Sequence, residues 1–383
     1  MIIHVHGALE SQSGELKRMK NIDRDFVSIM DEKSIELVFY PASKKDFVKK
    51  QPTFTLSENV VKKVMVPVYP FIAQLTSLIV YIYMVLKYRP TAVVWEMFMS
   101  VKGASLVKKI SPKTKIIIDI HGAAAEEAAY QGESIECVSA YRNYERRAVE
   151  SVDYIICQSD EMKRYIVNEY DVDACKICVY RCGVDINHFR IDDVKRKTIR
   201  EKLGFSENDI VFVYSGGLHL WQRVGEALDL FEKYHVINRA SKFLVLTGSG
   251  EELHEMIKKK GIDNSNNHIV SMCLPFVEVP DYLNACDVAF LLRHNHTMNA
   301  VASPTKLAEY LACGLPVISS RVSMKWVTPE AMKFVIVEED MSDVEDITRV
   351  VKNTYRNDVS KYAAEYLSLD VDRKAISGFF CNK

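Results

Sequence analysis

Short apolar runs alternate with helix-length stretches along most of this chain, and that rhythm limits its fold more than any other feature. Eleven candidate strands stand out: Ile2 to Val5, Leu37 to Tyr40, Ala92 to Glu96, Lys115 to Ile120, Tyr154 to Gln158, Ile177 to Tyr180, Ile210 to Ser215, Lys242 to Thr247, His268 to Met272, Val288 to Leu292 and Val317 to Ser319. Parallel strands need long crossovers, and strands covered by helices on both faces read as near-continuous apolar runs. The pattern predicts an α/β protein with doubly wound, mainly parallel sheets. Eleven strands overfill one sheet. The polar segment Asn187 to Asn208, with the charge cluster Asp192-Asp193-Val194-Lys195-Arg196-Lys197, marks the break. One domain is expected over 1–188 and a second over 189–361, with a terminal helix, about 362–383, packing back on the first.

The 383 residues carry 50 Lys and Arg against 51 Asp and Glu, so no overall basic excess exists to hold nucleic acid. Lys44, Lys45, Lys49 and Lys50 read as a solvated face. The opening Met-Ile-Ile-His-Val-His-Gly lacks the basic flank and long apolar stretch of a secretion signal, and reads as the first strand of a cytoplasmic protein. Nine cysteines are then expected as reduced thiols. Cys175, Cys178, Cys182 and His188 resemble a zinc set, but Lys-Ile-Cys-Val-Tyr-Arg reads as a strand and no second Cys pair follows. Val66 to Leu86 is the most apolar segment. Gln74, Thr76, Ser77, Pro67 and Pro70 interrupt it, and Lys87, Arg89 and Pro90 close it. It predicts a buried or interfacial helix that could rest on the inner face of a membrane without crossing it.

Ligands of doubly wound sheets bind where strand ends lead into helix starts. Three such loops fall in the second half. The first is Ser215-Gly216-Gly217-Leu218-His219-Leu220-Trp221-Gln222-Arg223, the second Thr247-Gly248-Ser249-Gly250-Glu251-Glu252, and the third follows Arg293 with Ser303-Pro304-Thr305-Lys306. Ser303 suits an N-cap, Pro304 the first helical position, Gly314 the position past the end, and Pro316 a stop. Lys306 is the anomaly, because a cation in the first turn opposes the helix dipole. Arg223, Arg293 and Lys306, with the glycines and helix-start amides, form a candidate diphosphate cradle. Glu309, one turn on, offers a carboxylate to a ribose.

At these residues the chain resembles the retaining glycosyltransferases of family 4, whose GT-B architecture is two facing Rossmann-like domains. Ser303-Pro304-Thr305-Lys306 with Glu309, Gly314 and Pro316 is similar to that family's nucleotide-binding helix. Arg181-Cys182-Gly183-Val184-Asp185-Ile186-Asn187-His188-Phe189 is similar to its interdomain signature. In the first half the likeness rests on Lys87-Tyr88-Arg89-Pro90, on Asp119-Ile120-His121-Gly122 with Glu126 and Glu127, and on Gln158 to Lys163. The resemblance implies transfer of a sugar from a nucleotide-diphosphate donor to an acceptor hydroxyl, with the anomeric configuration kept. The apolar Val66 to Leu86 segment points to a glycan or lipid-linked acceptor, and Arg223, Arg293 and Lys306 are expected to stand in for a metal, so none is required. It implies that Glu309 holds the ribose, that Lys306 and Arg223 hold the diphosphate, and that His121 serves the donor sugar.

Three departures stand beside the likeness. The family's frequent second Glu is Val301 here, which leaves no carboxylate pair for a two-carboxylate scheme. Its frequent Arg after the first glycine is Gly217, and its frequent Lys aligns with Gln222 or, one residue on, Arg223. A non-catalytic nucleotide-sugar binder and a nucleotide-sugar epimerase of the same architecture are the alternatives. A dehydrogenase fits poorly, since Gly248-Ser249-Gly250 is followed by His254 where a third glycine belongs. Asp171-Val172-Asp173 and Asp370-Val371-Asp372 are read as a helix-to-strand link and a cap, not as metal sites.

Overall fold

The computed structural model describes residues 1–7, 14–41, 56–69, 72–96, 101–325 and 328–380. The chain forms two compact units, Met1–Arg181 with Asp372–Lys383, and Cys182–Val371. Residues 362–371 stay with the second unit. The expected basic patch at Lys44, Lys45, Lys49 and Lys50 lies outside the described residues.

The first unit holds a seven-stranded sheet: β1 (Ile2–Gly7), β2 (Ser34–Pro41), β3 (Val60–Val68), β4 (Ala92–Glu96), β5 (Lys115–Ile120), β6 (Tyr154–Cys157) and β7 (Ile177–Val179), in the order β3-β2-β1-β4-β5-β6-β7. The second holds six: β8 (Ile210–Ser215), β9 (Ser241–Leu246), β10 (Ile269–Met272), β11 (Val288–Leu291), β12 (Val317–Ser319) and β13 (Val335–Val337), in the order β10-β9-β8-β11-β12-β13. Every described strand pair is parallel. Both are Rossmann-like sheets, and the fold is the GT-B architecture the sequence predicts.

Side-chain alternation builds the second unit's core. Val211, Val213, Leu244, Leu246, Ala289 and Leu291 pack on one sheet face, while Phe212, Tyr214, Phe243, Val245 and Phe290 pack on the other. The strands need both faces buried.

Two strands escape the sequence reading. β3 is an edge strand carrying Lys62, Lys63 and Pro67, and proline is tolerated at an edge because no ladder hydrogen bond is lost. It takes the front of the segment read as a single helix, and the helix itself is Ala73–Tyr88. β13 has only three residues, too few for a periodicity to register. The cysteine reading stands differently: Cys178 is buried in β7, Cys175 is exposed, and no disulfide joins cysteines among the described residues. The two Asp-Val-Asp stretches are occupied locally. Asp173 accepts from the Cys175 amide at 2.8 Å, and Asp372 from the Arg181 amide at 3.0 Å.

Candidate active site

The helix Thr305–Ala312 forms because Leu307, Ala308, Tyr310, Leu311 and Ala312 are all buried and are mostly good helix formers. Gly314, at φ 77°, ends it in the left-handed conformation, and a side chain there would meet the Arg356 carbonyl at 2.9 Å. The start corrects one expectation. Pro304, not Ser303, occupies the N-cap, with no side-chain cap, and helical backbone begins at Thr305. The Ser303 hydroxyl is drawn away to accept from the Cys182 amide at 3.3 Å. The first-turn amides therefore stay uncapped.

Lys306 points back across the end of β8. Its Nζ donates to the Tyr214 hydroxyl at 3.2 Å and to Gln222 Oε1 at 3.0 Å, and stands 4.7 Å over the Tyr214 ring. Gly216 makes room: at φ 136°, a Cβ on it would lie 2.2 Å from Lys306 Nζ. Arg293, just past β11, donates from its guanidinium to the same Gln222 oxygen. Two half-buried cations thus share one neutral carbonyl. Neither has a salt bridge to any described carboxylate. Burial, and then the neighbouring Arg293, hold the Lys306 amine well below its ordinary range against the opposing charge of Glu309. Burial likewise lowers Arg293. Two cations turned toward a neutral acceptor can take up an anion there.

Arg223 is placed otherwise. Its guanidinium is gripped by Glu338 at 2.7 and 3.0 Å, touches Ser320 Oγ at 3.0 Å, and pairs with Glu226 at 3.3 Å. Its charge is already neutralised. The structure brings Gln222, not Arg223, to Lys306. Gly217 adjoins the His219 ring without crowding. Gly248 and Gly250 flank Ser249, the uncapped N-cap of the helix Gly250–Lys259, and both have ordinary space around a Cβ position. Glu309 is half-buried one turn from Lys306. Val301, at the position of the missing carboxylate, is buried. Tyr214 and Tyr310, whose hydroxyl accepts from the Ser215 amide at 2.8 Å, frame the cluster, and nothing in the sequence announced them.

In the first unit, His121 follows β5. Its Nε2 lies 2.5 Å from Asp119 Oδ2 and 3.4 Å from Glu96 Oε2, while its buried Nδ1 has no hydrogen-bond partner among the described residues. Arg18 clamps Asp119 from the other side, Nε at 3.0 Å and Nη2 at 2.6 Å, and donates to the Tyr180 carbonyl at 2.5 Å. Burial opposes ionisation of all three groups. The Arg18 and His121 charges nevertheless bring the Asp119 carboxyl down to about 2, and Asp119 and Glu96 hold the His121 imidazole well above its ordinary value. Glu96 is pushed up, first by burial. One donor atom from each of Glu96, Asp119 and His121 lies within 4.8 Å of the others, a spacing that could hold a metal ion. Both Asp119 oxygens already accept from Arg18, so that carboxylate is engaged within the cluster. Arg18 and Glu96, which the sequence reading did not single out, complete this cluster.

Residues 37–188 match the family model described as Glycosyltransferase Family 4, and residues 195–366 the one described as Glycosyl transferases group 1. The chain is 27% identical over 249 residues to the D-inositol 3-phosphate glycosyltransferase of Nocardioides sp., covering 59% of this chain and 52% of that protein. It is 26% identical over 253 residues to the UDP-Gal:alpha-D-GlcNAc-diphosphoundecaprenol alpha-1,3-galactosyltransferase of Escherichia coli, covering 64% and 62%. The matched part thus spans about half the length of the first relative and under two thirds of the second. Among solved structures, Alr3699/HepE of Anabaena in complex with UDP-glucose shares the fold at a TM-score of 0.69 and 14% identity, over 100% of this chain and 99% of that one. The two family matches, one in each half, and the shared fold place the chain among the GT-B glycosyltransferases.

Proposed function

We propose that this chain transfers a hexosyl-type sugar from a nucleoside-diphosphate donor to an acceptor hydroxyl with retention of anomeric configuration, in bacterial-type surface polysaccharide or glycoconjugate assembly. The observation that carries the reading is the cation pair Lys306 and Arg293, which converges on the single neutral acceptor Gln222 at the glycine loop. A diphosphate is a better counter-ligand than a carboxamide. It would take over the hydrogen bonds that Gln222 Oε1 now accepts, with the first-turn amides of Thr305 and Lys306 beside it. Glu309 is assigned to the ribose hydroxyls and His121 to the donor sugar.

In the reaction, the bond between the anomeric carbon and the β-phosphate oxygen breaks, and the acceptor oxygen bonds to that carbon on the same face. The acceptor's proton passes to the departing phosphate oxygen. Negative charge grows on the diphosphate as the bond breaks, so Lys306 and Arg293 act where stabilisation lowers the barrier. The Escherichia coli relative is named for a diphosphoundecaprenol acceptor. That name and the apolar Ala73–Tyr88 helix support a lipid-linked acceptor and a peripheral membrane contact.

The deciding experiment is calorimetry with UDP and the other nucleoside diphosphates, followed by product analysis with a labelled UDP-sugar. Binding at a hundred times the dissociation constant should add about 2.7 kcal/mol, and raise the melting temperature of a unit this size by roughly 5–10 °C. Binding without any transfer or hydrolysis would favour the non-catalytic alternative, to which Gly217, Gln222 and Val301 lend some support. Glu309→Gln should weaken UDP binding by about ten-fold or more while leaving pyrophosphate, which has no ribose, unchanged. Equal losses for both ligands would remove Glu309 from the ribose. Activity is expected to survive excess chelator, because the cradle supplies cations of its own; a loss restored by magnesium or manganese would show that the cradle is incomplete.

A further inference from the structure

The helix Ala73–Tyr88 buries Tyr81, Met84 and Val85, yet its outer face is also apolar. Leu75, Ile79, Tyr83 and Leu86 are 60, 57, 54 and 59% exposed, at spacings of four, four and three residues, and exposed Ile72 extends the row. A surface helix of a water-surrounded protein carries polar residues there. This one has no acidic residue, and its sole charged side chain is Lys87 in the last turn. Lys87 Nζ donates to the Tyr83 hydroxyl at 2.6 Å, and Lys62 Nζ to the Tyr88 hydroxyl at 3.3 Å. At the helix end Arg89 and Lys113, with Leu86, Ser111 and Thr114, line a hollow of about 530 Å³. None of Lys62, Lys87, Arg89 and Lys113 makes a salt bridge among the described residues.

We infer that this face seats on an anionic lipid bilayer, with Leu75, Ile79 and Leu86 at the acyl boundary and a lipid phosphate in the hollow between Arg89 and Lys113. The inference rests on the membrane-contact part of the reading above and is independent of the donor site. An apolar stripe rimmed by cations and tyrosines is what an interfacial helix presents. No described helix is long and apolar enough to cross a membrane. A second copy is a poor occupant: on two-fold pairing the stripe would bring like charges together at its rim.

Cosedimentation of the full chain tests this, using vesicles of phosphatidylcholine alone and with phosphatidylglycerol added. Wild type should bind the anionic vesicles at least ten-fold more tightly than the neutral ones. Leu75→Ser/Ile79→Ser/Leu86→Ser should abolish binding to both. Lys87→Gln/Arg89→Gln/Lys113→Gln should lose affinity for the anionic vesicles by about five-fold per cation, roughly a hundred-fold in all. All six positions are on the surface, and an unchanged melting temperature and circular dichroism spectrum in each variant report an intact fold without any appeal to the donor site. The inference is overturned if wild type ignores anionic vesicles. It is equally overturned if inorganic phosphate at matched ionic strength strips the protein off, or if the apolar substitutions merely dissolve a dimer.

Discussion

Lys306→Met should leave the unliganded fold as stable as wild type, or more so, while weakening nucleoside diphosphate binding by about ten-fold to over a hundred-fold. Methionine keeps the length of the side chain and removes the half-buried charge. Tyr214 retains its bond to the Gly217 carbonyl at 2.5 Å, and Gln222 retains Arg293, so no polar group is orphaned. The sign follows from titration. Burial and Arg293 depress the Lys306 amine, so the unfolded chain binds this proton more strongly, and the Lys306 contribution to stability rises with pH until the unfolded lysine itself deprotonates. A bound diphosphate reverses the shift. Above the depressed value, binding must then draw in a proton, which calorimetry in buffers of different ionisation enthalpy detects. Uptake should vanish in Lys306→Met. A destabilised apo variant with unchanged affinity for both UDP and pyrophosphate would make Lys306 a structural group and misplace the site.

Much of this site was legible because punctuation residues act locally. Gly314 and Pro316 fix the end of Thr305–Ala312 whatever surrounds them, and the position of Lys306 in the first turn was anomalous by dipole arguments alone. The N-cap was misread because Ser303 found a partner 121 residues away, in the Cys182 amide, and local preference cannot anticipate a tertiary competitor. Arg223, expected at the diphosphate, pairs in the structure with Glu338, 115 residues downstream, a partner local reading could not foresee. Five of the six strands of the second sheet were readable from continuous apolar runs, and only the three-residue β13 was not. β3 was not, because an edge strand tolerates Lys62, Lys63 and Pro67 and so loses the pattern that marks buried strands.

Least legible was Arg18, whose importance lies in contacts far along the chain, those with Asp119 and Tyr180 among them, and its loss carries the largest expected stability effect. The Asp119 carboxylate is buried and doubly bonded to the Arg18 fork. Removing one partner of a buried pair strands the other, and Arg18→Met should destabilise the first unit by about 3–5 kcal/mol. Because the two units need not unfold together, hydrogen exchange of the β5 amides is the proper measure. Charge, not packing, is the proposed cause. Arg18→Met/Asp119→Asn should therefore recover much of the loss, and a double variant as unstable as the single would refute that cause. Acid should help the single variant. Wild type keeps the Asp119 contribution above the ordinary carboxyl range and loses it only as pH falls through about 2, whereas without Arg18 the carboxyl protonates earlier and the penalty shrinks as pH is lowered. If Asp119 also orients His121 toward a sugar, a variant that still folds should lose turnover while its UDP affinity stays within a few-fold. That split between turnover and donor binding would make Arg18 a positioning residue of the reaction; equal losses in both would leave it a residue of the fold alone.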